Sequence, residues 1–225
     1  MLIKTATIIG STGLIGSHLL ELLKNDDDYK TIRLVLRRQL PVDHPKMETR
    51  IIDFENATEY QNAIAGSDVV FCAVGTTKQK VKGDEAAYRK VDFDIPVRAA
   101  EFCKNNECNT FILVSSAGAD SHSNNFYLKL KGEVEEEIKR ISLSAVHIMR
   151  PSILLGSRDE SRLGESIGKT FMQALSFSFI GKLRKYKPIH ASQVAFAMAA
   201  IAKKDIKGFF IYEYDEVVQV DPAGR

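Results

Sequence analysis

One stretch near the N-terminus constrains this chain more than any other: Thr7-Ile8-Ile9-Gly10-Ser11-Thr12-Gly13-Leu14-Ile15-Gly16-Ser17-His18-Leu19-Leu20. A short apolar run, three glycines at three-residue spacing and an apolar helical pattern follow one another, which is the order strand, tight loop, helix. Gly10 can take the backbone angles of the turn, Gly13 lets the main chain approach a bound pyrophosphate, and Gly16 lets the helix pack close to a sheet. The first helical turn then offers free N–H groups to phosphate. A unit of this kind belongs in a parallel sheet with helices on both faces, so a doubly wound α/β fold with right-handed crossovers is expected.

Composition narrows what such a fold can carry. The 225 residues, 44% of them hydrophobic, suffice for one well-buried domain and are tight for two, so a single domain is expected across the chain. Net charge is +2 with no long basic run, which leaves no electrostatic footprint for nucleic acid. No apolar stretch nears the roughly 20 residues that span a bilayer, and a strand begins where a secretory signal would lie. A soluble, cytoplasmic protein without a membrane role is therefore expected. Cys72, Cys103 and Cys108 are odd in number and lack zinc-site spacing, so they read as reduced structural cysteines and no metal is called for.

The next stretches each meet the expected nucleotide. Residues 25–28, with three aspartates, read as a solvated loop after the first helix, and residues 31–36 as a second strand ending at Arg37-Arg38. At that strand end an acid would accept from the 2′-hydroxyl of NAD, whereas arginine pairs with the 2′-phosphate of NADP. Two arginines and no acid favour NADP over NAD. Asp53 and Phe54 follow a short third strand; Asp53 either meets the adenine amino group or caps the next helix. Residues 67–75 form a buried strand ending in Ala73, Val74 and Gly75, small enough to leave room for a cofactor. The lysine-rich residues 76–83 make a loop over the nucleotide. Residues 84–104 read as a helix packing through Val91, Ile95, Ala99 and Phe102, with a break or kink at Pro96.

A fifth strand, residues 110–114, leads into Ser115-Ser116-Ala117-Gly118-Ala119-Asp120 and then Tyr127-Leu128-Lys129-Leu130-Lys131. Tyr127 and Lys131 are four residues apart and share a helical face. A lysine ammonium beside a tyrosine hydroxyl stabilises the phenolate, which suits it to exchange a proton with a carbonyl or alcohol. A serine at the strand end can hold the same substrate oxygen, and Ser116, directly before Ala117, is preferred to Ser115. Beyond them Glu133, Glu135, Glu136 and Glu137 read as the solvated face of the helix.

Together GSTGLIG, LRR, DFEN, FCAVGTT, VSSAGADSHSNNFYLKLKGEVE and RPSILLGSRDESRLGE resemble the atypical short-chain dehydrogenase/reductases, most closely the Tat-interacting oxidoreductase-like group. The resemblance implies a Rossmann domain that binds NADP, with Gly10, Ser11, Thr12, Gly13, Leu14 and Ile15 at the pyrophosphate, Arg37 and Arg38 at the 2′-phosphate, and Asp53 with Phe54 near adenine. It implies Ser116, Tyr127 and Lys131 as the catalytic positions, with Lys131 also on the ribose. Pro151, at the end of a sixth strand over 143–149, would then pass under the nicotinamide.

Residues 151–225 are expected to supply a small lip on the substrate side, read chiefly from 157–168 and 170–180. Lys182, Arg184, Lys185 and Lys187 read as an exposed basic loop in preference to a hold on an anionic substrate, His190 as a packed or capping histidine in preference to one that positions a substrate loop, residues 209–214 as a last strand, and the tail from Asp215 as chemically silent. The leading expectation is an NADP-dependent oxidoreductase acting on a small carbonyl or alcohol. Two others remain open: a nucleotide-sugar epimerase or dehydratase that keeps NAD bound, and a non-catalytic protein that reports NADPH occupancy. A homodimer through helices flanking the sheet is compatible with each.

Overall fold

The computed structural model describes residues 4–77, 79–156, 181–204 and 206–220. Its centre is β1 (Lys4–Ile9), flanked by β2 (Tyr29–Leu36) and β4 (Val69–Cys72). The sheet runs β3 (Met47–Ile51), β2, β1, β4, β5 (Thr110–Val114), β6 (Ala145–Met149), β9 (Gly208–Tyr212), and every pairing in it is parallel. Parallel strands need covered faces, and alternate side chains supply two cores. Ala6 and Ile8 pack toward α1 (Leu14–Lys24), α6 (Ala191–Ala202) and α7 (Tyr214–Val220). Ile9, Val70 and Cys72 pack toward α2 (Ala57–Ile64), α4 (Ile95–Asn105) and α5 (Phe126–Ile141). The doubly wound, Rossmann-like architecture expected from the glycine stretch is the one observed. The strand order reverses between β1 and β4, where such folds place their ligands.

Several local readings need correction. The irregularity expected at Pro96 lies just before it: α3 (Glu85–Arg89) passes through a π turn, Lys90–Asp94, into α4. Proline clashes with the carbonyl four residues back, here that of Asp92, and the wider π turn accommodates the ring. The aspartates of 25–28 are not simply solvated, since Lys203 Nζ lies 2.7 Å from Asp26 and 3.1 Å from Asp28. The final strand stops at Tyr212 and the chain turns into α7, where Asp215 holds Arg184 at 2.7 Å. The basic loop is a 3-10 helix, Gly181–Tyr186. A second, two-stranded sheet of β7 (Leu154–Leu155) and β8 (Ile189–His190) places His190 at the N-cap of α6, as a capping histidine. Residues 157–168 and 170–180 lie outside the described residues. Cys72, Cys103 and Cys108 are free and buried.

Candidate functional site

Three clefts lie along the carboxyl ends of the strands and share walls. The first, about 150 Å³, is bordered by Gly10, Thr12, Gly13, Arg37, Phe54, Ala73, Val74, Gly75 and Lys80. Gly10 reaches φ +91°, and a Cβ there would stand 2.7 Å from the Ala73 backbone. A Cβ on Gly16 would stand 2.1 Å from Gly10 O, so the loop and the first turn of α1 close on each other only because both positions are glycine. Gly13 is the N-cap of α1 and no side chain caps that turn, which leaves its N–H groups to an external acceptor. Ser11 Oγ is buried without a hydrogen-bond partner beside the same loop. These are the features a pyrophosphate would satisfy, and the residues fit a dinucleotide.

Toward β2 the groove widens to about 850 Å³, bordered by Arg37, Asp53, Phe54, Lys90 and Arg98. Arg37 borders both clefts, whereas Arg38 borders none of the three and is exposed. The alternative cap role of Asp53 is taken by Asn56, whose Oδ1 accepts from the Thr58 and Glu59 N–H groups at 3.1 and 3.2 Å. Asp53 turns the chain locally, accepting from Glu55 N–H at 2.9 Å.

The third cleft, about 450 Å³, is bordered by Gly13, Leu14, Ile15, Ala73, Val74, Gly75, Ser115, Ser116, Tyr127, Lys131 and Pro151. Asn125 starts α5 by accepting from Tyr127 and Leu128 N–H at 3.0 and 3.2 Å, and this sets Tyr127 in the first turn with Lys131 one turn on. Lys131 Nζ lies 5.9 Å from the Tyr127 ring centre. Tyr127 is 36% exposed, whereas Lys131 is buried. The ammonium meets Asp92 Oδ1 at 2.9 Å. Burial opposes its charge, but Asp92 and the neighbouring Tyr127 outweigh burial and hold Lys131 above the ordinary lysine pKa. Tyr88 packs edge-on to Tyr127 and donates to Thr76 O at 3.1 Å; burial raises its phenol pKa. The two serines differ: Ser115 is buried and donates to Glu135, while Ser116 is half-buried with Oγ 3.4 Å from Ala117 O.

A profile described as NAD(P)H-binding matches residues 10–174, spanning all three clefts. This chain belongs to that NAD(P)H-binding family. Protein HTATIP2 of Rattus norvegicus is 35% identical over 179 residues, 78% of this chain and 73% of that protein. Protein FMP52, mitochondrial, of Candida albicans is 32% identical over 206 residues, 89% of each chain. Among solved structures, MoeE5 in complex with UDP-glucose and NAD superposes with a TM-score of 0.69 at 17% identity, covering 98% of this chain and 82% of that one. The Bordetella bronchiseptica enzyme WbmH in complex with NAD+ gives 0.68 at 18% identity, covering 94% and 75%. At such identities these two show the fold alone. The fungal relatives of this NAD(P)H-binding chain are named mitochondrial, which overturns the cytoplasmic expectation. Net charge and hydropathy report solubility and carry no compartment address.

The sequence does not single out three residues: Asp92 on the third cleft, and Glu135 and Gly132 outside it. Asp92 lies three residues before Ile95 and seven before Ala99, an acid on the apolar stripe of its own helix, and that misplacement was the available signal. Glu135 belongs to a run of acids read as solvated, yet it is buried and accepts from Arg150 Nε at 3.0 and 3.1 Å. Its spacing is the available signal: Glu135 falls four residues after Lys131, on the Tyr127–Lys131 face of α5, whereas Glu133, Glu136 and Glu137 do not. Gly132 was also passed over: a Cβ there would stand 2.1 Å from Ser121 N, so α5 rests directly on the loop that follows β5.

Proposed function

We propose that this chain is an NADP-dependent oxidoreductase acting on a carbonyl or alcohol of a small-molecule substrate. The observation that carries the reading is one continuous groove. It runs from Arg37 past the glycine turn to Tyr127, Lys131 and Ser116, with shared walls at each step. The glycine turn would hold the pyrophosphate, Arg37 the 2′-phosphate, Asp53 and Phe54 the adenine side, and Ala73, Val74, Gly75 and Pro151 the nicotinamide side. When bound, reduced nicotinamide supplies hydride to a carbonyl carbon. Tyr127 Oη then gives its proton to the carbonyl oxygen, and the Lys131 ammonium stabilises the phenolate left behind. Ser116 Oγ donates to the same oxygen and orients it, whereas Ser115 is committed to Glu135. In the alcohol direction the proton returns to Tyr127.

The test is to follow NADPH oxidation against a panel of aldehydes and ketones with the wild type and Tyr127→Phe. Turnover that falls at least about a hundredfold in the variant, with NADPH binding kept within about threefold, supports the roles. Retained turnover, or NADPH binding lost with the hydroxyl, contradicts them.

A further inference from the structure

Asp92 has a more demanding environment than a helix residue needs. It is 1% exposed and belongs to the π turn Lys90–Asp94, where the helix departs from α geometry. Single-turn π bulges of this kind recur at functional sites. Asp92 Oδ1 meets Lys131 Nζ at 2.9 Å, and Oδ2 accepts Thr76 N–H at 2.8 Å. Thr76 opens the lysine-bearing segment after β4, and both Thr76 and Lys80 border the cleft that contains Tyr127. One carboxylate thus joins α5 to the segment after β4, both of which border that cleft.

We propose that Asp92 is a positioning residue: it fixes the Lys131 ammonium beside Tyr127 and ties it to the Thr76 backbone. The catalytic consequence rests on the oxidoreductase reading; the placement of Lys131 does not. A carboxylate and an ammonium this deeply buried are costly to desolvate, and each is tolerated because the other is present. The ionisable groups around the pair are Tyr127 on α5, Tyr88 on α3 and Cys72 at the end of β4. Glu135, one turn further along α5, is bonded to Arg150. Asp92 is therefore the anion that balances Lys131. Without it, burial is uncompensated and the amine gives up its proton more readily.

The experiment uses amine-selective acylation at about pH 8, read by mass spectrometry at Lys131, alongside NADPH affinity and turnover. In Asp92→Asn, Lys131 labelling is expected to rise at least about tenfold over wild type, with turnover falling and NADPH affinity kept within about threefold. Asp92→Glu keeps the charge and should return labelling to within about threefold of wild type. Asp92→Ser serves for the same readouts if the asparagine variant does not fold. Unchanged labelling in the charge-removing variant overturns the proposal and leaves the oxidoreductase reading standing. High labelling in Asp92→Glu also overturns it, since packing and not charge would then be at work. Raised labelling with undiminished turnover overturns the positioning role. If the wild type turns over no carbonyl, the oxidoreductase reading fails, and labelling alone still decides whether Asp92 governs Lys131.

Discussion

Helix α5 carries two ion pairs one turn apart, Lys131 with Asp92, both buried, and buried Glu135 with half-buried Arg150, and they differ in what surrounds them. Glu135 accepts from Arg150 through Nε and, at 2.5 Å, through Nη2, and it also accepts from Ser115. Arg150 reaches Glu213 at 3.7 Å, and its backbone N–H donates to Tyr212 O at 2.8 Å. That pair joins α5 to the edge of the sheet, and its groups satisfy one another. Lys131 has one acidic partner and stands in the cleft with Tyr127, Ser116 and the glycine-bearing strand ends. Burying a charge is therefore not by itself a sign of chemistry. What distinguishes the Lys131 pair is an exchangeable hydroxyl beside the ammonium and room for a nucleotide next to it.

The comparison breaks first at Tyr127. Removing its hydroxyl in Tyr127→Phe should lower turnover by roughly 10²–10⁴-fold in a steady-state assay, with little change in folding. Glu135→Ala should do the reverse. It leaves the half-buried Arg150 without its main partner and should cost about 1–3 kcal/mol in denaturant unfolding, with turnover per folded molecule within about threefold of wild type. Equal damage to turnover from both variants would mean that the two ion pairs do not differ in role. Further along the groove, Arg37→Ala should weaken NADPH about tenfold and leave NADH unchanged in a binding titration, about 1.4 kcal/mol. Arg38→Ala should do less, because Arg38 borders none of the three clefts.

A further effect is expected with pH. Burial pushes the Cys72 thiol from 9.0 up to about 12, so the folded chain holds that proton where the unfolded chain releases it. Its contribution to stability is present in full below pH 9 and is lost as pH rises toward 12. Lys131 acts in the same sense: its raised pKa means that its contribution is complete below 10.5 and disappears at higher pH. Thermal melts from neutral to alkaline pH should show a falling transition, and a rising one would contradict both assignments.

The fold was legible because Gly10 and Gly16 state a backbone requirement directly, and because buried parallel strands such as Val69–Cys72 are continuous apolar runs. The shared face of Tyr127 and Lys131 was legible through helical spacing, and both border one cleft with Ser116. Asp92 was harder, since its role depends on a π turn that shifts the helical register and on a lysine 39 positions away. Glu135 and Arg150 meet only when α5 lies across β6, which local sequence does not encode. The pairing of Lys203 with Asp26 and Asp28 is likewise a property of α6 meeting the turn after α1.

The most direct test of the account is calorimetric titration of the purified chain with NADPH and, in parallel, NADH. It needs no substrate. Saturable NADPH binding at one site per chain, at least about tenfold tighter than NADH, is the predicted result. Tighter binding of NADH would contradict the assignment of Arg37 to a 2′-phosphate and favour a chemistry that retains NAD. Binding of neither nucleotide, by folded protein free of carried-over cofactor, would contradict the reading of the groove itself.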